Sequence, residues 1–357
     1  MVKFKELLNL IVEREASDLH LIAGVSPQLR IDENLIPTDF DVLTPETCRE
    51  LIYSIISEEQ KKRFELKHEL DFSFEIAGLS RFRVNIYHHR GYVSAAIRRI
   101  PLKIFNFEEL GLPPVTREIV RKPKGLVLVT GATGSGKSTS LASMTDFINQ
   151  ERRCHIVTVE DPIEYVHQHR KSVVSQREIG SDTYSFANAL KYVLRQDPDV
   201  ILIGEMRDLE TVRAAMTIAE TGHLVFTTLH TNDAVQTINR IIDIFPSQFQ
   251  AQIKVQLSFV IQAVFSQQLI PKVGGKGRVL ACEVMVATQA IRSLIREGKT
   301  HQIYSAIQTG VREGMHTMNT SLVNLYSRNL ISYENVWRTT EPEDLERLLS
   351  SVKPEKK

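Results

Sequence analysis

The chain has 357 residues, 42% hydrophobic and 24% charged, which is enough for about two domains of ordinary size. Forty-four Lys and Arg against 43 Asp and Glu leave a formal net charge of +1, so no global field draws it onto nucleic acid or anionic lipid. Its three cysteines, Cys48, Cys154 and Cys282, are far apart with no C-x-x-C, which excludes a tetracysteine zinc site and fits a reducing compartment.

Phe4, Leu7, Leu8, Ile11 and Val12 recur at helical spacing and predict an amphipathic first helix. Asn9 interrupts that stretch and Glu13 follows it, so it does not read as a signal peptide. No segment supplies the roughly 18 consecutive apolar residues of a membrane helix, and the expected location is cytoplasmic. Ser17-Asp18-Leu19-His20-Leu21 switches to alternation. So do Asp71–Ile76 and Ser80–Tyr87, on either side of a turn at Gly78. Residues 1–100 therefore read as a small α+β domain. Ile100-Pro101 and Leu112-Pro113-Pro114 punctuate a linker over 101–114.

From 115 to 357 the pattern changes. Gly125–Val129, His155–Val159, Val200–Ile203 and Leu224–Thr228 are continuous apolar runs separated by helical segments. Buried strands alternating with helices predict an α/β domain, a parallel sheet covered on both faces. Beyond about 245 helices dominate. Phe249, Ile253, Leu257, Val260, Ile261 and Val264 fall on one helical stripe, expected to face the core. The charged tail ending Lys353-Pro354-Glu355-Lys356-Lys357 reads as disordered.

Gly131-Ala132-Thr133-Gly134-Ser135-Gly136-Lys137-Ser138 matches the phosphate-binding pattern GxxxxGK[ST] in full, after an apolar strand and before a helical stretch. Glycines let backbone N–H groups wrap phosphate oxygens, and the helix start adds partial positive charge. Gly131, Thr133, Gly134, Ser135, Gly136 and Thr139 are thus candidate nucleotide contacts, with Lys137 for the β- and γ-phosphates and Ser138 for Mg2+. Asp199–Glu205 is an apolar strand ending in an acid. Glu205 is expected at the carboxyl end of a strand neighbouring the loop strand, holding Mg2+ through water or polarising the attacking water. No guanine-reading N-K-x-D segment occurs, which points to ATP.

Two further segments flank core strands. Val159-Glu160-Asp161-Pro162-Ile163-Glu164-Tyr165 gathers carboxylates able to deprotonate water for in-line attack; Glu164 is the first choice of base and Glu160 the second, though spacing does not order them. Thr221–Asn232 brackets a strand with His223 at its start and His230 at its end. Each can be structural or a phosphate contact.

In this order, a phosphate loop, an acidic segment at 159–165, a strand ending in Glu205 and a histidine segment at 221–232 resemble the secretion ATPase superfamily of type II secretion and type IV pilus motors. Ala16-Ser17-Asp18-Leu19-His20 and Leu194–Asp199 are also similar to it. Ala290-Ile291-Arg292-Ser293-Leu294-Ile295-Arg296-Glu297 resembles a C-terminal segment of its pilus-retraction branch, with Ser293 in place of the usual Asn. Extension and type II secretion motors are generally longer and often carry a tetracysteine zinc element, which also favours the retraction branch.

The resemblance implies a RecA-like P-loop ATPase core behind an N-terminal PAS-like domain. It implies a hexameric ATPase using ATP and Mg2+ to drive pilus retraction and twitching, peripheral at the inner membrane through a platform protein at the pilus base. It also places small-domain arginines beside nucleotide. Arg81, Arg83 and Arg98 are the candidates, with Arg83 and Arg98 favoured. On spacing alone Arg292 and Arg296 form a solvated basic face of a helix; the resemblance makes them a coupling element. Alternatives are an extension or type II secretion motor and a nucleic-acid translocase. The absence of a basic, aromatic-interleaved segment weighs against the last.

Overall fold

The computed structural model describes residues 3–31, 34–76, 78–100, 103–275 and 277–337. The predicted tail at 353–357, and Pro101 and Leu102 of the predicted linker, lie outside them. The described residues fall into two units: those up to Lys103 together with Glu164–Val166, and Ile104–Ile163 together with those from His167 onward.

The first unit begins with α1 (Phe4–Glu13), whose Phe4, Leu7, Leu8 and Ile11 are buried, as the spacing predicts. It continues through β1 (Asp18–Leu21), β2 (Gln28–Ile31), β3 (Asn34–Pro37), α2 (Pro45–Tyr53), α3 (Glu58–Lys67), β4 (Glu69–Ile76), β5 (Ser80–His89) and β6 (Tyr92–Ile100). Thr44 and Ser57 cap α2 and α3, each accepting from the backbone N–H three residues on. The six strands form one antiparallel sheet in the order β3-β2-β1-β6-β5-β4. Phe82, Val84, Ile86, Ala95 and Ile97 are buried with the helices, so the alternate residues, including Arg83 and Arg98, line the other face.

The second unit contains α4 (Phe107–Leu110), α5 (Thr116–Val120), β7 (Gly125–Thr130), α6 (Lys137–Glu151), β8 (His155–Glu160), β9 (Val173–Glu178), α7 (Phe186–Val193), β10 (Val200–Ile203), α8 (Leu209–Glu220) and β11 (Leu224–Leu229). Then come α9 (Ala234–Asp243), α10 (Ser247–Val260), β12 (Ile261–Pro271), β13 (Arg278–Val286), α11 (Gln289–Glu297), α12 (Ile303–Thr309), α13 (Met318–Ser327) and α14 (Tyr333–Trp337). Seven strands make one sheet in the order β13-β12-β7-β11-β10-β8-β9, parallel throughout except for the β12–β13 hairpin. Every residue of β7, β10 and β11 is buried because both faces are covered. Leu126, Leu128, Ile201, Ile203 and Val225 pack with α7 to α12 on one face. Val127, Val129, Val200, Leu202 and Phe226 pack with α4 to α6 on the other.

The long C-terminal stripe is corrected by this fold. Helix α10 stops at Val260, and Ile261 to Pro271 run directly on as a strand. Ile261 and Val264 are therefore sheet residues, and Phe249 is 41% exposed rather than in the core. The helix passes into the strand without a turn, so no Gly or Pro marks the change of period.

Candidate functional site

Strand β7 ends at Thr130 and the chain turns through the phosphate loop into α6. Gly131 sits at φ 139°, and a Cβ there would lie 2.4 Å from the Gln267 carbonyl oxygen and 2.6 Å from Ser135 Oγ. Gly136, at φ 89°, starts α6 in the left-handed region that glycine enters freely. Lys137 Nζ donates to the carbonyls of Gly131 at 2.8 Å and Ala132 at 2.9 Å, holding the ammonium over the loop. Ser138 and Thr139 stand half-buried in the first turn of α6, where backbone N–H groups lack intrahelical acceptors. Thr133 and Gly134 are exposed on the crest. Ser135 Oγ is buried without a hydrogen-bond partner among the described residues, as suits a group whose acceptor is a bound phosphate. A hydroxyl at Ser138 and a carboxylate at Glu205 are the hard oxygen donors Mg2+ prefers.

Sequence reasoning missed the support beneath this loop. Ser266 and Gln267 on β12 are fully buried. The hydroxyls of Thr130 and Ser266 are bonded at 2.9 Å, and the Gln267 side-chain N–H donates to Ser140 Oγ at 2.8 Å. Polar residues following directly on an apolar run, and buried on a strand, are the signal for such support.

The carboxyl ends of the parallel strands gather the acids. Glu205 follows β10 with its side chain 19% exposed, bonded to Arg207 Nε at 2.6 Å and 3.8 Å from His230 Nε2. The segment is laid against β11: Thr228 Oγ1 donates to the Gly204 carbonyl at 2.6 Å, and the Met206 N–H donates to the Thr228 carbonyl at 3.2 Å. Strand β10 is not the neighbour of the loop strand; β11 lies between them. The histidine-bearing strand thus separates Lys137 from Glu205, a correction to the expected order.

Glu160 ends β8, half-buried, its carboxylate accepting from Thr158 Oγ1 at 2.6 Å and Gln176 Nε2 at 3.2 Å. Glu164 is exposed and belongs to the segment grouped with the first unit. His230 stands at the carboxyl end of β11, but His223 stands at its amino end, beside the start of β7. There its ring Nδ1 lies 3.1 Å from the Ile218 carbonyl and its own carbonyl accepts the Gly125 N–H. Six strand residues, about 20 Å, divide it from the phosphate loop in this chain, so the structure does not bring His223 to that loop. The carboxyl-end rule for parallel sheets tells the two histidines apart.

On the first unit, Arg83 and Arg98 are directly opposite across β5 and β6, both exposed. Asp18, from the Ala16–His20 segment, holds Arg98 Nε at 2.8 Å. Two like charges thus face each other across the strands, and Asp18 balances one of them. Arg81 is half-buried and donates to Ser73 Oγ. Burial depresses the pKa of half-buried His20, against the pull of Asp18.

The two arginines of 290–297 part company. Arg292 Nη1 donates to the carbonyls of Ser258 at 2.6 Å and Phe259 at 3.0 Å, and Nη2 to Gln262 Oε1 at 3.3 Å. It therefore caps the C-terminus of α10, and burial lowers its pKa. Arg296 is exposed. Ser293 Oγ donates to Glu297 one turn on, at 2.8 Å.

The family model described as "Type II/IV secretion system protein" matches residues 4–338. The chain is 51% identical to the type IV pilus retraction ATPase PilT of Pseudomonas aeruginosa over 330 residues, covering 92% of this chain and 96% of that protein. It is 45% identical to a twitching motility protein of Neisseria gonorrhoeae over 320 residues, covering 90% and 86%. A crystal structure of the pilus retraction motor PilT with bound ADP superposes with a TM-score of 0.92 at 51% identity, covering 97% of this chain and all of that one.

Proposed function

The chain belongs to the type II/IV secretion system protein family, and we propose that it is an ATP-hydrolysing motor that powers retraction of a type IV pilus. The observation that carries the reading is the end-to-end similarity to a retraction ATPase, over 92% of this chain and 96% of that protein.

The loop from Gly131 to Ser138 holds the triphosphate, and Lys137 exchanges its two loop carbonyls for phosphate oxygens. Ser138, with Glu205 through water, would hold Mg2+, which neutralises charge on the β- and γ-phosphates. Glu205, its position set by Arg207 and by the end of β11, orients the attacking water. Glu160, half-buried at a strand end, is preferred over exposed Glu164 as the group that takes the proton. His230, next to Glu205, registers whether the γ-phosphate is present. Arg83 and Arg98 supply positive charge to the phosphates across a subunit boundary of a six-membered ring. Release of that charge on hydrolysis switches the subunit between two states, and the ring works on a platform protein of the inner membrane. Among the described residues no helix is long and apolar enough to cross a membrane.

Deletion in the native host tests the assignment. Retraction loss gives hyperpiliated, non-twitching cells that the wild-type gene rescues and Lys137→Ala does not; bald cells would identify an extension motor instead. In vitro, Lys137→Ala abolishes phosphate release, and Glu205→Gln binds ATP but does not turn over. DNA-stimulated turnover would favour a translocase.

A further inference from the structure

Glu283 lies in the middle of β13, 3% exposed, opposite Ser266 of β12. A carboxylate so placed is retained at a cost unless its oxygens are satisfied. Here each oxygen faces the first residue of a different helix. The Ala234 N–H, starting α9, donates to Oε1 at 2.9 Å, and the Met318 N–H, starting α13, approaches Oε2 at 3.5 Å. Both helices already have an N-cap: Asp233 accepts from the Gln236 N–H and Thr317 from the Thr320 N–H. Glu283 is thus a second, non-local anchor.

The α9 end of this arrangement adjoins the phosphate site. Only His230, Thr231, Asn232 and Asp233 join β11 to α9. That short loop is tied at both ends. His230 meets Glu205 at 3.8 Å, the Thr231 and Thr237 hydroxyls are bonded at 2.7 Å, and Thr237 Oγ1 donates to the Asp233 carbonyl at 2.6 Å. Ala234 follows immediately and is held by Glu283. Behind the carboxylate, Ser266 is bonded to Thr130, the last residue before the phosphate loop.

We propose that Glu283 is a positioning residue for ATP hydrolysis: by anchoring the first turn of α9 to the sheet that carries the phosphate loop, it fixes His230 against Glu205. The inference rests on the reading of the strand ends as the γ-phosphate site. Glu283 need not touch nucleotide. Its contribution is the register between two strand ends, where a misplacement of about 1 Å is costly in rate. Its elevated pKa, about 7 through burial, marks a group held in place for its hydrogen bonds despite the desolvation.

Glu283→Gln keeps the volume and one acceptor oxygen but presents an N–H2 to one of the two helix starts. It is expected to fold, to leave KM for ATP within about twofold, and to lower kcat about tenfold or more. Ala234→Pro attacks the same contact from the other side. Proline is well accommodated at a first helical position, and Asp233, at φ −145° and ψ 171°, already has the extended backbone that precedes one. It replaces the N–H with the ring Cδ, which cannot donate and pushes Oε1 away, so it should reproduce the kcat loss even if Glu283→Gln folds poorly. Because both act through His230, the double variant His230→Ala/Glu283→Gln should be no slower than His230→Ala alone. Wild-type kcat in both Glu283→Gln and Ala234→Pro, or losses that multiply with that of His230→Ala, would overturn the proposal and leave the strand-end reading intact. Wild-type kcat in His230→Ala would remove the sensor reading and this proposal with it.

Discussion

Gly131→Ala and Gly134→Ala make the same chemical change three residues apart in the phosphate loop, and the structure assigns them very different costs. Both glycines have positive φ, 139° and 79°. At Gly134 a methyl group would enter open space, so the penalty is the left-handed conformation alone, about 1 kcal/mol. At Gly131 it would stand 2.4 Å from the Gln267 carbonyl oxygen and 2.6 Å from Ser135 Oγ. The carbonyl cannot swing away, because Gln267 lies in a strand paired with both neighbours and its side chain is bonded to Ser140. Relief requires the loop to lift by roughly 1 Å, adding an overpacking cost of about 1–3 kcal/mol and displacing the N–H groups that would cradle phosphate. Thermal melts with and without nucleotide separate the two outcomes. Gly134→Ala should lose only about 2–4 °C and keep a nucleotide-dependent rise in Tm. Gly131→Ala should lose about 4–16 °C and show no such rise, and fluorescent ADP should bind it at least about a hundredfold more weakly. A Gly131→Ala protein that binds ADP within about twofold of wild type would refute the claim that β12 sets the loop.

Arg292→Ala should lower stability by about 1–3 kcal/mol, because it strips three hydrogen bonds from the end of α10. Exposed Arg296→Ala should leave Tm and basal ATPase unchanged, so pilus retraction lost in that variant alone would identify the coupling residue. Burial lifts the Glu283 pKa from 4.5 to about 7, partly opposed by the Ala234 N–H and reinforced by Asp233. The folded value exceeds the unfolded one, so this stabilisation is full below about 4.5 and is lost as pH rises through 7. Denaturant titrations at pH 6 and pH 8 should differ by about 1 kcal/mol more in wild type than in Glu283→Gln. Equal pH dependence in the two would place the titration elsewhere.

The phosphate loop and the core strands were legible because their signals are local. A glycine pattern between an apolar strand and a helix specifies backbone geometry within eight residues, and continuous apolar runs report burial on both faces. The C-terminal hairpin was not legible, because Ile261 and Val264 continue the apolar spacing of α10. The only local mark of a strand pair is the Gly274-Gly275 turn that follows. Ser266, Gln267 and Glu283 were invisible for a different reason: their roles come from pairing across the sheet. Ser266 is 136 residues from Thr130, and Gln267 is 127 from Ser140. Arg292 shows the limit of helical spacing, which put it on a face with Arg296 but did not reveal that α10 ends against it.

The strand order carries the last step. Lys137 follows β7 and Glu205 follows β10, yet these strands never touch, because β11 runs between them. Any change in distance between the phosphate loop and Glu205 must therefore be borne by the end of β11. Thr228 is bonded to Gly204 and Met206 on one side, while β11 pairs with β7 residue for residue on the other. The segment of chain that follows the end of β11 is His230 to Asp233. Its far end is fixed by Glu283 to β13, on the opposite side of β7 from Glu205. A loop held at both ends keeps His230 in register with Glu205, which is the constraint that the Glu283 anchor imposes. Helix α9 packs on α10, whose end Arg292 caps. These contacts join the carboxyl ends of the strands to α11, the helix that bears Arg296.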